Sequence, residues 1–168
     1  MEPFDSFLIW IADFLGDHLY EGIFLAALLE TIVPPIPTLA VFPTAGFLAS
    51  QQGITLLGLV PMILLGGLGA TIGTTVLYLI ALKLGRLVLL RYLRFVKVND
   101  KKLERVEIWF EKYGDKAVFL GRMVPVMREM ISIPAGLLKM KIPKFVLYTF
   151  GGSCVWATGT ILSGYYFG

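Results

Sequence analysis

Three ionisable side chains stand inside apolar runs of this 168-residue chain. Glu30 lies in LAALLETIVPPIP, and Arg122 and Arg128 lie in FLGRMVPVMREMISIPAG. A charge at membrane depth costs about 2.5–3.5 kcal/mol on insertion scales, so three left alone would cost roughly 8–10 kcal/mol. That rivals the stability of a whole domain. Each charge must therefore be paired, hydrated or close to an interface. Two arrangements achieve this. An ion pair between Glu30 and an arginine would hold two apolar segments together. Alternatively, a polar cavity lined by all three would bind an anion, because two guanidinium groups against one carboxylate leave surplus positive charge. The planar donor fork of arginine also suits phosphate. Glu129 either joins that cavity and reduces the surplus or points into headgroups. Ser132, four residues after Arg128, adds a donor if it faces the cavity and otherwise serves as a small packing residue.

Other chemistries find little material. His18 is the single histidine and Cys154 the single cysteine. A zinc site needs several such ligands, so no metal is expected. No intramolecular disulfide can form. No nucleophile–base set is visible, so an enzyme is not expected, nor a cofactor beyond a proton that Glu30 could carry.

Composition says what must surround these residues. Apolar residues make up 57% of the chain and charged residues 16%, against roughly 45–50% and about 25% in soluble domains. A core this small cannot absorb that excess, so lipid is the expected solvent. The net charge of +3 is unevenly spread. Residues 1–82 carry six acidic residues and no Lys or Arg. Residues 83–116 carry ten Lys or Arg and five acidic residues, and residues 117–168 carry five Lys or Arg with Glu129. The positive-inside rule produces such polarity. A nucleic-acid partner would instead call for a basic stripe with interleaved aromatics.

The elements follow from hydrophobic period and breakers. Residues 4–20 place Phe4, Phe7, Leu8, Ile11, Phe14 and Leu15 at helical spacing, which reads as an amphipathic helix at the membrane surface or a short tilted span. The N-terminus lacks the basic region of a cleaved signal peptide. Residues 22–50 are apolar but broken by Pro34, Pro35, Pro37 and Pro43. Two full spans would need about 40 residues, so a re-entrant helical hairpin is expected, turning near the prolines. Residues 54–82 predict a transmembrane helix, with Gly69 and Gly73 as a small-xxx-small pair for close helix approach. Residues 84–116 form a charged connector, with Leu103, Val106, Phe110 and Tyr113 at helical spacing. Residues 117–138 are apolar again, with Pro125 and Pro134, and predict a second hairpin. Residues 142–167 predict a second span, interrupted early by Gly151-Gly152.

Pro35 and Pro125 are 90 residues apart, as are Ala45-Gly46 and Ala135-Gly136. Each block precedes a span carrying a Gly-Gly pair. This predicts an internal repeat within one membrane domain: about 22–83, the connector, and about 117–168. Charge orients it. Lys83 and Arg86 end the first span on the cytoplasmic side, so the first hairpin opens outside with the acidic N-terminus. Lys139, Lys141 and Lys144 stay inside only if residues 117–138 re-enter, so the second hairpin opens to the cytoplasm. The predicted fold class is an all-α integral membrane protein of inverted repeats, each a re-entrant hairpin plus a transmembrane helix. Broken helices meeting near the midplane are a transporter architecture.

These blocks resemble the DedA family, also described as having a VTT or SNARE-associated domain. The first pattern, E-x3-P-P-x-P followed by A-G-F-L-A, is matched by Glu30, Pro34, Pro35 and Pro37, then Ala45 to Ala49. The second is matched by Gly121, Arg122, Pro125 and Arg128, then Ala135, Gly136, Met140, Trp156, Gly164 and Tyr165. Two residues separate Arg122 from Pro125 where the pattern has three. Tyr78, Gly85 and Arg86 match a further Tyr-x6-Gly-Arg element. Members often carry a further C-terminal span. The resemblance implies a prokaryotic inner-membrane protein that moves lipid across the bilayer, with the membrane acidic and arginine residues carried over onto Glu30, Arg122 and Arg128. Implied substrates are undecaprenyl phosphate or phosphatidylethanolamine. Thr38-Leu39 stand where many members carry a Gly–acid pair, so coupling through two carboxylates is not implied here.

The combined expectation is a flippase for a lipid phosphate carrier such as undecaprenyl phosphate. Its headgroup site would be Glu30, Arg122, Arg128 and Ser132. Hairpin turning and packing would fall to Pro34, Pro35, Pro37, Gly46, Pro125, Pro134 and Gly136. The alternatives are a phospholipid scramblase, a proton-coupled exporter of small cations and a structural membrane protein. The partners are membrane lipids through an anionic phosphate headgroup, and the Gly-rich helix faces leave room for a homodimer.

Overall fold

The computed structural model describes residues 14–30, 38–95 and 100–167. All of its regular elements are helical. After a helical turn at 14–17 come α1 (Leu19–Glu30), α2 (Thr38–Gln51), a 3-10 turn (Leu56–Gly58), α3 (Leu59–Phe95), α4 (Asp100–Tyr113), α5 (Lys116–Arg122), α6 (Pro125–Met130), α7 (Ser132–Leu137) and α8 (Ile142–Phe167). Leu56–Leu84 and Ile142–Phe167 are long and apolar enough to cross a membrane. At 1.5 Å per residue these 29 and 26 residues reach ~44 and ~39 Å, more than the ~30 Å hydrocarbon core. Val60, Leu64, Leu68, Ile72 and Val76 recur every fourth residue of α3 and are all exposed. An apolar stripe left outside at that spacing is a face for lipid.

Three expectations are corrected. Pro43 does not break the chain but lies inside α2, where its missing N–H removes only the bond to the Leu39 carbonyl. Gly151-Gly152 do not interrupt α8, which is continuous over 26 residues. In apolar surroundings every broken backbone hydrogen bond goes unsatisfied, and that outweighs glycine's weak helix propensity. The first apolar span does end near residue 83, at Leu84, but its helix does not. It continues as α3 to Phe95, so the charged connector begins as a helical extension of the span. The amphipathic helix expected over 4–20 lies mostly outside the described residues, as does the Pro34-Pro35-Pro37 turn.

The chain divides into two compact units, residues 1–70 with 154–168, and residues 71–153. In the first, α1 contributes Leu19, Ile23 and Ala27, continuing a four-residue stripe from Leu15, and α2 contributes Val41, Phe42, Ala45 and Ala49. They pack with Leu59 and Met62 of α3 and with Ala157 and Ile161 of α8. Backbone meets backbone here. A side chain on Gly46 would collide with the Ile161 carbonyl, and one on Gly164 with the Pro43 carbonyl. In the second unit, Val106 and Phe110 of α4 supply one face of a core built with Tyr78, Ala81, Ala117, Val118, Ile131, Ile133 and Phe145. The Tyr78 and Phe145 rings stack with centroids 4.4 Å apart. Trp109 Nε1 donates to the Ala117 carbonyl at 3.4 Å, and exposed Lys144 pairs with Asp115 at 2.9 Å.

Each unit contains a helix-ending turn of the same kind. At the end of α2, the Ile54 N–H reaches the Ala49 carbonyl and the Gly53 N–H reaches Ser50. At the end of α7, the Met140 N–H reaches Ala135 and the Lys139 N–H reaches Gly136. Both are Schellman closures, which need a left-handed residue just past the helix. Gly53 fills that place at φ 69° and Lys139 at φ 54°. In each, a tyrosine on a long helix donates to the next carbonyl: Tyr165 to Ile54 at 2.9 Å, and Tyr78 to Met140.

Candidate functional site

The second unit holds most of the expected headgroup site. Arg122 is the last residue of α5. The next residues cannot extend that helix, because Val124 precedes a proline and is driven to extended backbone, φ −105°, ψ 120°. Pro125 then opens α6 at its first position, where the missing N–H costs nothing. Arg128 follows in α6, with its N–H bonded to the Val124 carbonyl at 2.9 Å. Pro134 has no N–H for the Met130 carbonyl, which separates α6 from α7. Ser132 sits at the start of α7. Three short helices with two proline-made breaks thus place Arg122, Arg128 and Ser132 close along the chain.

All three are buried. Arg122 is 3% exposed, Arg128 6% and Ser132 0%. The aliphatic stem of Arg122 is walled by α8, since a Cβ on Gly152 would lie 2.7 Å from Arg122 Cβ and 2.8 Å from the Phe119 carbonyl. Any side chain at Gly152 would displace the arginine. Ile131 packs over Gly121, 3.1 Å from where a Cβ would stand, so the α6–α7 junction lies against the end of α5. Gly136 seats α7 on α3, with the Tyr78 carbonyl 2.5 Å from the position of a Cβ.

Glu30 ends α1 and is half-buried in the first unit, which also holds Gly46. Pro34, Pro35 and Pro37 lie outside the described residues. Thr149 did not emerge from the sequence reading. It is fully buried in α8, three residues before Gly152. Its place on the helical stripe Phe145–Thr149–Gly152 is the signal that could have found it. Among the described residues no cluster of three or more His, Cys, Asp or Glu could hold a metal ion.

The VTT domain family model matches residues 36–166. Among curated proteins, the chain is 32% identical over 158 residues to Undecaprenyl phosphate transporter A of Staphylococcus aureus, covering 92% of this chain and 76% of that one. It is 33% identical over 144 residues to the protein of the same name from Bacillus subtilis, covering 86% and 69%. It is 32% identical over 142 residues to a Lactococcus lactis protein named Alkaline phosphatase-like protein, covering 82% and 65%. The chain spans about two thirds to three quarters of these relatives' length. No solved structure matches it significantly.

Proposed function

The chain belongs to the VTT domain family, also called DedA, and from that premise we propose that it carries a lipid phosphate such as undecaprenyl phosphate across a bacterial inner membrane. The observation that carries this reading is the burial of Arg122 and Arg128 in one unit, on consecutive short helices amid apolar side chains. Two buried guanidinium groups there suit a phosphate headgroup. The prenyl chain stays in lipid, so only the headgroup needs a polar path. The names of two relatives point to the same substrate.

In this reading the halves are inverted repeats with re-entrant hairpins, the connector is cytoplasmic and the N-terminus is outside. The twin Schellman turns support the repeat. So does a crossing of partners: Gly46 of the first half packs on α8, and Gly136 of the second half packs on α3.

The test is lipid flip in sealed proteoliposomes, with undecaprenyl phosphate beside phosphatidylethanolamine and wild type beside Arg128→Ala. Selective flip of the polyprenyl phosphate, lost in the variant, is expected. Flip of both lipids would make the protein a scramblase. Flip of neither by folded protein, or release of inorganic phosphate from the carrier, would overturn the reading.

A further inference from the structure

Hydroxyl side chains in helices ordinarily quench themselves on the preceding turn. This chain follows the rule repeatedly. Thr44 donates to Ala40, Thr75 to Thr71, Thr158 to Cys154 and Thr160 to Trp156, at 2.6–2.8 Å. Ser132 and Thr149 depart from it. Both are 0% exposed, and neither Oγ of Ser132 nor Oγ1 of Thr149 has a hydrogen-bond partner among the described residues. A buried hydroxyl left unmade costs about 1–3 kcal/mol, and a valine or alanine would avoid that cost.

Their positions give the exception a direction. Both belong to the unit that holds Arg122 and Arg128. Thr149 is one turn from Gly152, whose backbone lies on the Arg122 stem. Ser132 adjoins Ile131, which packs over Gly121, the neighbour of Arg122. Each hydroxyl is thus within one helical turn of a residue that touches α5 at its arginine end.

We infer that the Ser132 and Thr149 hydroxyls are headgroup donors, acting beside Arg122 and Arg128 on a phosphate monoester. This rests on the proposed lipid phosphate reading and adds Thr149 to it. A terminal phosphate is purely an acceptor when ionised and offers three oxygens, enough for two guanidinium forks and two hydroxyls. Helix α8 thereby becomes part of the binding surface and not only a wall.

The test uses the purified full chain in detergent, titrated with geranylgeranyl phosphate while thermal unfolding is followed, with geranylgeraniol as the uncharged control. Wild type should show a saturable rise in Tm with the phosphate alone. Thr149→Val keeps shape and drops the hydroxyl, so the unliganded Tm should hold or rise while the titration midpoint weakens about tenfold. Ser132→Ala should behave alike, and Thr149→Ser should keep the midpoint within about twofold. If Arg128→Ala weakens the midpoint and both hydroxyl-deleted variants match wild type, the inference is overturned and the transport reading survives. If wild type shows no saturable rise, the phosphate site itself is overturned.

Discussion

The Tyr165 hydroxyl donates to the Ile54 carbonyl at 2.9 Å across 111 residues of chain. Tyr78 does the same for Met140 across 62. Each bond closes the turn that ends a helix of the opposite half, so a long-range contact completes a local cap. Tyr165→Phe should cost about 1 kcal/mol, and Tyr78→Phe more, because Tyr78 is 1% exposed and its loss strands a carbonyl in a dry core. Denaturant unfolding in detergent measures both.

Lys139 occupies the left-handed position that Gly53 fills in the matching turn. A side chain there costs about 1 kcal/mol or somewhat more. Lys139→Gly should therefore stabilise the protein by about that amount, and Gly53→Lys should destabilise it comparably. Opposite shifts in Tm for the two substitutions check the equivalence of the turns.

Gly46 and Gly164 meet carbonyls of the helix facing them, whereas Gly159 of α8 meets nothing within 4 Å. Gly164→Ala and Gly46→Ala should abolish the folded monodisperse protein or shift its Tm steeply. Gly159→Ala should fold normally and gain up to about 1 kcal/mol of helix propensity. Size-exclusion chromatography with Tm measurement separates these outcomes.

Arg128→Lys keeps the charge and loses the fork. Flip should fall by about tenfold and, for Arg128→Ala, to background.

Much of this was legible in the residues. The two apolar spans and the apolar stripe of α4 follow from hydrophobic period. That Arg122 and Arg128 need a partner, water or an interface was legible, because a charge in FLGRMVPVMREM is costly in lipid; their burial came only with the fold. The end of α3 was not. Arg86, Arg91 and Arg94 signal a headgroup boundary, but a helix crosses that boundary without penalty. The likeness of the two Pro–Ala-Gly blocks was legible, and the spacing of the two turns was not. The Ala-Gly match pairs Gly46 with Gly136, 90 residues apart, whereas the turns pair Ala49 with Ala135 and Gly53 with Lys139, 86 apart. The difference is about one helical turn, which leaves small residues on the same face and so hides in the sequence pattern.

The packing of Gly46 and Pro43 against the last turns of α8 also sets an order in time. A ribosome adds about 5–20 residues per second, so the 111 residues between Ile54 and Tyr165 take roughly 5–20 s to make. For that interval the first apolar segments sit in the bilayer with their final partner unsynthesised. Whatever shields α2 during those seconds, whether lipid or an insertion chaperone, must leave before the chain can close.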